Sequence, residues 1–449
     1  MRKPHLLYIA FFYPPSRASG VYRALATSDA FRRNDWDVTV ITTTERFFEE
    51  EIGSMDPSLL AQIPDGVDVL RVPFSFRPSD TVTDLREMGW LQGNFPQLHS
   101  LIRRSTRSAR STIDILRGRS PLSFPMTDRY LTWIEPVVKA GRRVNSSKKV
   151  DHVLATGNPY SAFEAARVIA DLIGTPFSID YRDPWRFDMR TGGPAKLDRP
   201  TLSAEDRIIE EAALSFHVNQ PLADAYVETH PESAPKQKVV MNGFDEESIS
   251  IIRSEYDGGP LDFGMLGTVT DLWPLGPLFE AWADVRDDLP EGSRLRLAGH
   301  LGYFAWSEEG ILNTLPGEKD GFYFEGPVEK AKVREFYGSL DVVVVPLFGG
   351  PMVTSGKIFE AAGLGIPVVL SQDDDGGARA VLEDHPYAFT AVADPEEIRQ
   401  ALKGAAQAAR SITPQDVIET REAMAGFERQ RSMQRMVDLV DATTPRLPR

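Results

Sequence analysis

Val342-Val343-Val344-Val345-Pro346 leads through a short loop into Thr354-Ser355-Gly356-Lys357-Ile358-Phe359-Glu360-Ala361-Ala362-Gly363, and this stretch decides the fold. A run of valines reads as a strand buried on both faces, the kind found in parallel sheets. The helix predicted after it starts at Thr354 or Ser355, both good N-cap types, and stops at Gly363, a good residue to end on. Such a helix aims its unpaired N–H groups and positive dipole end into the crevice beyond the strand's carboxyl end. That crevice suits an anion, a diphosphate above all. Lys357 falls in the first turn beside it. Glu360, one turn later, can accept hydrogen bonds from ribose hydroxyls of the same ligand. An ordinary capped helix with a surface Lys and Glu fits the same letters.

At 449 residues the chain has room for two or three domains with real cores. It has no cysteine, which excludes a disulfide framework, thiolate chemistry and Cys-based zinc sites, and fits a reducing compartment. A net charge of -15 argues against a general nucleic-acid binder, because phosphate backbones repel an acidic surface. Met1-Arg2-Lys3 followed by Leu6 to Phe12 imitates a secretory signal. Pro14-Pro15 and Arg17 follow at once, however, with no small-residue cleavage site, so a first buried strand fits better. No apolar run reaches the length of about 18 that a membrane span needs, and a cytoplasmic protein is expected.

From that strand the chain passes through Tyr13-Pro14-Pro15 to Gly20, a helix to about Arg33, and a strand over Asp37–Thr42. This is a βαβ unit with its loop where ligands sit. Gly20 lets a ligand approach the backbone, and Arg17 or Arg23 can meet a phosphate, although turn geometry alone explains one Gly. Val67–Val72 reads as a strand and the segment from Pro96 to Leu116 as a helix. Arg103, Arg104, Arg107 and Arg110 make a basic cluster there, suited to a membrane surface or a lipid-linked phosphate, or simply a solvated face. A helix from Trp133 to about Val144 precedes the strand and turn Asp151–Ser161. The strand Pro176–Tyr181 then delivers Arg182-Asp183-Pro184-Trp185 to the same edge as that turn, although the pair can be structural and the Trp packed. His217, inside an apolar run, reads as a core residue.

Alternation restarts after Glu246–Gly259. Strands are predicted near Leu261–Thr268, Leu295–His300, Gly321–Phe324, Val342–Pro346 and Pro367–Ser371, which make a second doubly wound α/β unit.

The ordered set of short motifs now carries a resemblance. Tyr13-Pro14-Pro15, Gly20, Arg23, Thr156-Gly157-Asn158-Pro159 and Arg182-Asp183-Pro184-Trp185 lie in the first half. Asn242-Gly243-Phe244-Asp245, Gly267-Thr268, Gly326-Pro327-Val328 and Ser355-Gly356-Lys357-Ile358-Phe359-Glu360 lie in the second. The chain resembles a GT-B glycosyltransferase related to the family-4 retaining enzymes. The resemblance implies two Rossmann-like α/β domains facing each other across a cleft. Residues 1–244, completed by 424–449, would form the acceptor side and 245–423 the donor side, with a last helix from Met424 to Val440 crossing back.

The resemblance also implies a UDP- or GDP-sugar donor, a sugar, glycan or lipid-linked hydroxyl acceptor, and no required cofactor or metal. Carried over by position, Glu360 holds the ribose, and the amides of Thr354, Ser355 and Gly356 hold the diphosphate. Pro327 and Val328 contact the base, Gly267 and Thr268 line the donor site, and Gly20 lies against the phosphates with Arg23 near. Lys357 acts on the leaving phosphate, with Arg182 and Asp183 on the acceptor side. Two departures stand out. Eight positions before Glu360, where the family often has a second Glu that reaches the donor sugar, this chain has Met352. An Arg and a Lys that often follow the first strand of the second domain are missing between Thr268 and Pro277. Two other readings therefore stay open: a nucleotide-sugar epimerase on the same fold, and a non-catalytic homologue acting as a scaffold. Asp373-Asp374-Asp375 is similar to a metal-holding acid motif but falls late in the second unit, and reads as a loop cluster.

Overall fold

The computed structural model describes residues 2–74, 126, 128–189, 191–249, 255–269, 273, 275–302, 305–329, 332–347, 350–371 and 377–444. The basic segment with Arg103, Arg104, Arg107 and Arg110, the helix expected over 96–116, and the acid run Asp373–Asp375 lie outside them.

The buried runs resolve into two all-parallel sheets. The first holds β1 (His5–Ala10), β2 (Asp37–Thr42), β3 (Val67–Arg71), β4 (His152–Gly157), β5 (Phe177–Tyr181), β6 (Leu214–His217) and β7 (Gln237–Val239), in the order β3-β2-β1-β4-β5-β6-β7. The second holds β8 (Asp262–Leu266), β9 (Arg294–Ala298), β10 (Phe322–Gly326), β11 (Val342–Pro346), β12 (Val368–Ser371) and β13 (Ala388–Ala391), in the order β10-β9-β8-β11-β12-β13. The order reverses between β1 and β4 in one sheet and between β8 and β11 in the other, which opens a crevice at each carboxyl edge.

The valine run shows why burial is two-sided. Val342 and Val344 pack with Leu297 and Leu402 on one face of the second sheet, and Val343 and Val345 with Ile358 and Leu370 on the other. In β1, Leu7 and Ile9 point to one face and Leu6, Tyr8 and Ala10 to the other, so period-2 side chains meet apolar partners everywhere.

Two helix boundaries differ from expectation. The helix after β11 runs Gly356–Leu364 and ends on Gly365, whose φ of 72° is left-handed. Gly363 lies inside it, so close to its neighbours that a Cβ there would sit 2.4 Å from Ile249 Cδ1. Packing, not termination, explains that glycine. The crossing helix is also interrupted. Pro414–Met424 is one helix, Ala425–Phe427 a short 3₁₀ turn, and Arg429–Thr443 the last helix. That last helix buries Met433, Met436, Val437 and Val440 among Leu6, Tyr8 and Val21 of the first sheet's layer. Trp36 Nε1 donates to Asp441 at 3.0 Å, and the Asn34 and Gln434 amides exchange hydrogen bonds.

The chain therefore crosses between the halves twice, and the two crossings touch. Phe244 N donates to Phe427 O at 3.0 Å and Arg429 N to Phe244 O at 2.8 Å. Gly243 permits this approach: its φ is 70°, and a Cβ there would fall 2.6 Å from Phe427 O. Arg429 clamps the junction through Asp245 at 2.6 Å and the carbonyls of Asn242 and Gly243.

His152 locks the far end of the last helix. Its ring joins Ser178 Oγ at 2.9 Å and Thr444 Oγ1 at 3.2 Å, and burial pushes its pKa down to about 3. The unfolded chain takes up this proton below about pH 6.5, whereas the folded chain does not until far lower. Stability is therefore full above about pH 6.5 and falls by up to ~1.4 kcal/mol per pH unit on acidification from this ring. Melting curves from pH 7 to 4 for the wild type and His152→Gln test this; equal slopes would contradict it.

Candidate functional site between the two sheets

The two carboxyl edges meet. Asn219 caps the helix Gln220–Thr229 through Leu222 N, and its Nδ2 donates to Thr354 Oγ1 of the other half at 2.9 Å. Gly350 N donates to Met189 O at 2.6 Å. Met352 is 7% exposed and packs into the core of the first half beside Trp185 and Leu222. The position where the resemblance implies a sugar-binding Glu is thus an apolar anchor between the halves.

Next to this anchor, the Gly356–Leu364 helix opens. Ser355 caps it, its Oγ accepting from Lys357 N at 3.3 Å. The amides of Thr354, Ser355 and Gly356 have no hydrogen-bond partner among the described residues, and a Cβ on Gly356 would meet nothing within 4 Å. Lys357 extends over the loop after β8, where a Cβ on Gly267 would fall 2.8 Å from Lys357 Cε. That places its ammonium at the β8–β11 switch point.

Glu360 lies behind Lys357, with Nζ to Oε2 at 3.5 Å. Tyr337 donates its hydroxyl to the same Oε2 at 2.5 Å. Burial pushes the Glu360 carboxyl up, but Lys357, the Tyr337 hydroxyl and Arg429 outweigh it and hold the carboxyl below its ordinary value. Tyr22, on the first helix of the other half, faces this carboxylate across the gap.

The loops after β8, β9 and β10 are laced together by Gly267 N to Ala298 O, Val269 N to His300 O and Gly299 N to Gly326 O. Thr268 is half-buried there, and Pro327 and Val328 follow on the outer side, Pro327 exposed and Val328 packed against the second core. Arg17, exposed on the loop after β1, faces His300 from the other half. Burial and then Arg17 lower the His300 pKa, against the pull of Glu308.

On the opposite edge, Arg182 donates through Nε to Gly157 O at 2.8 Å and through Nη2 to Asn158 O at 2.7 Å. Its Nη1 lies over Gly20, so near that a Cβ there would fall 1.0 Å away. Gly20 is therefore the seat of a guanidinium. Asp183 follows, half-buried, and its carboxylate has no hydrogen-bond partner among the described residues. Burial pushes its pKa up while Arg182 pulls it down, and burial wins. Trp185 is packed, stacked on Tyr160 with ring centroids 4.5 Å apart.

Arg23 requires correction. It is 4% exposed and pairs with Asp180 through both Nε at 2.8 Å and Nη2 at 2.6 Å, while Nη1 reaches Met241 O and Asn242 Oδ1. Its charge is neutralised below the cleft and does not face a ligand. Arg17 is the cation that this loop presents. His217 is a core residue, stacked on Tyr181 with Nε2 at 2.6 Å from Gln237 Oε1.

The two switch points also differ in what they offer an anion. At the helix Ser161–Ile173, which follows β4, Asp128 already accepts from Ser161 N at 2.8 Å. That N-terminus carries its own carboxylate, whereas among the described residues none caps the one after β11. Tyr337, Asp128 and Arg429 act at these junctions through partners distant in sequence, which the sequence does not mark; Asn219 has a local N-cap signal, but its bond to Thr354, 135 positions away, has none.

Residues 263–407 match the family described as "Glycosyl transferases group 1". No curated protein sequence matches the chain. Among solved structures, the chain is similar to sucrose-phosphate synthase from Thermosynechococcus elongatus, at 13% identity over 98% of this chain and 99% of that one, with a TM-score of 0.64. It is similar to Anabaena HepE in complex with UDP and glucose, at 15% identity over 97% and 99%, with a TM-score of 0.60. A UDP-N-acetylglucosamine 2-epimerase also matches, at 14% identity over 97% and 95%, with a TM-score of 0.51. The chain has the GT-B fold, and residues 263–407 of its second half are similar to the glycosyltransferase group 1 family.

Proposed function

We propose that this protein transfers a sugar from a nucleoside-diphosphate sugar to a hydroxyl acceptor, with retention, in the assembly of an envelope polysaccharide or glycolipid. One observation carries the reading: the amides of Thr354–Gly356, without a hydrogen-bond partner among the described residues, start the helix that holds Lys357 in its first turn and Glu360 one turn later, beside the Asn219–Thr354 contact between the halves. These amides and Lys357 take the diphosphate, and Glu360 takes the ribose hydroxyls. The base lies against Pro327-Val328 beyond the Gly267-Thr268 loop. Residues 245–423 form the donor side, and 1–244 with 424–449 the acceptor side.

In the step itself, the bond from the anomeric carbon to the diphosphate oxygen breaks as the acceptor oxygen bonds the same face. The acceptor proton passes to the departing phosphate, so no protein base is required. Helix amides and Lys357 stabilise the charge that develops there, and this electrostatic term usually weighs most. Arg182 and Asp183 orient the acceptor. The reading expects metal-independent activity, which should survive EDTA. The basic segment at Arg103, Arg104, Arg107 and Arg110 is assigned to peripheral contact with an anionic membrane or a lipid-linked acceptor.

Calorimetry and thermal shift with UDP, GDP and ADP test the reading. A ligand that binds only the folded state at 100 times its Kd stabilises by about 2.7 kcal/mol. One of the three is expected to raise Tm by several degrees, and Glu360→Ala should abolish the shift. If none binds, a non-catalytic scaffold is the better description. The epimerase reading has one observation in its favour: the chain is similar in fold to a UDP-N-acetylglucosamine 2-epimerase. Conversion of a free sugar nucleotide without acceptor would select it.

A further inference from the structure

We infer that Tyr337 is a positioning residue for nucleotide recognition, fixing through its hydroxyl which face and which charge state Glu360 presents to the ligand. The inference rests on the nucleotide reading of Glu360 given above. Tyr337 belongs to the short helix Val333–Gly338 that leads into β11, and it is 3% exposed. Its ring packs with Phe336, Ile358 and Phe359, which leaves the hydroxyl one short path out of the core, onto Glu360 Oε2 at 2.5 Å.

The geometry divides the carboxylate. Oε2 is engaged by Tyr337 from beneath and by Lys357 Nζ at 3.5 Å from the same helix. No protein donor reaches Oε1 among the described residues. The free oxygen is the one left for ribose hydroxyls. Four groups face this carboxylate: Lys357 on its own helix, Tyr337 beneath, Arg429 at the start of the last helix, and Tyr22 across the gap. Two are cations and two are phenols at neutral pH, so all four favour or tolerate the ionised form. Of these, Tyr337 is the core side chain whose hydroxyl donates directly to the carboxylate, whereas Arg429 is committed to Asp245. Lys357 is about one-third exposed and its contact is long, so it cannot fix an orientation alone. A buried phenol donating to a carboxylate is a short charge-assisted bond, which both aims the acceptor and keeps it ionised.

The test uses the full chain and three variants: Tyr337→Phe, Glu360→Gln and the double substitution. Tyr337→Phe removes one oxygen and leaves the ring in place. Affinity for the nucleoside diphosphate that binds wild type best, measured by calorimetry from pH 4 to 8, is expected to fall about tenfold at pH 7. Its loss on acidification is expected to begin at higher pH than in wild type, because Glu360 protonates sooner without the phenol.

A second readout needs no ligand. Glu360 has a lowered pKa when folded, so its contribution to stability is present above the ordinary carboxylate range and is lost as pH falls through the folded value. The Tm gap between wild type and Tyr337→Phe should therefore be full at pH 7 and narrow on going to the acid side. In the Glu360→Gln background the gap should not vary with pH. A pH-independent gap in the native background, or a binding profile parallel to wild type, overturns the role of Tyr337. Should wild type bind no nucleoside diphosphate, the nucleotide reading fails and the inference with it, while the stability arm alone would still report whether the phenol sets the charge of Glu360.

Discussion

Arg23→Ala is expected to cost about 3–5 kcal/mol of stability, because it strands a buried carboxylate. Asp180 is 1% exposed, and its two oxygens take Nε and Nη2 of Arg23 in a bidentate pair. With the guanidinium gone, only Thr156 Oγ1 at 3.1 Å still donates to it among the described residues. The same substitution cuts the link from the first helix to Met241 O and Asn242 Oδ1, where the chain leaves for the second half. The pair as a whole is worth far less than this loss, since desolvating both charges offsets most of their attraction. Arg23→Met combined with Asp180→Leu should therefore recover much of the stability that Arg23→Ala removes. Denaturant midpoints at pH 7 for the three proteins decide it. A loss below about 1 kcal/mol for Arg23→Ala would show that the guanidinium is not committed to Asp180, and would return it to the phosphate.

This residue also shows where the sequence stops being legible. Its loop and its helix are local patterns, and both are where they were expected, although Gly20 between them lies against the Arg182 guanidinium. Its partner lies 157 positions away in β5, and nothing in the Arg23 neighbourhood announces it. Met352 is the same case in the other direction. Read along the chain it is a missing acid; in three dimensions it is an apolar plug seated in the opposite core. The strands were readable because a two-sided buried run has a composition of its own, as in Val342–Pro346. β13 was not, because Ala388–Ala391 is mostly half-exposed and lacks that composition. Gly363 and Gly365 are both glycines near the end of one helix, and only the packing against Ile249 and Phe244 separates their uses. The break at Ala425–Phe427 was hidden by apolar spacing that continues from Met424 to Met433 across it.

Lys357→Ala is expected to lower the rate of sugar transfer by about 10²–10³-fold, the loss typical of removing one stabilising donor from a developing oxyanion. The fold should be indifferent to the change. Lys357 is 32% exposed on its side chain, and its contact to Glu360 is a long one at 3.5 Å, a pair of the kind that contributes little. Its value lies in where it stands, over Gly267 at the β8–β11 switch point and in the same first turn as the amides of Thr354–Gly356. Charge on the leaving diphosphate grows as the glycosidic bond stretches, so a cation there is worth more in the transition state than in the bound donor. The variant should therefore lose kcat more than it loses affinity for the nucleoside diphosphate. Lys357→Arg tests the geometry separately: it keeps the charge, but its planar fork must fit against the Gly267 loop, so only partial rescue is expected. If kcat holds while KM rises, Lys357 serves ground-state binding alone. If neither changes, the charge comes from across the cleft, where Arg17 faces His300 and Arg182 lies over Gly20. The Arg17→Ala and Arg182→Ala variants would then be expected to carry the loss that Lys357→Ala did not.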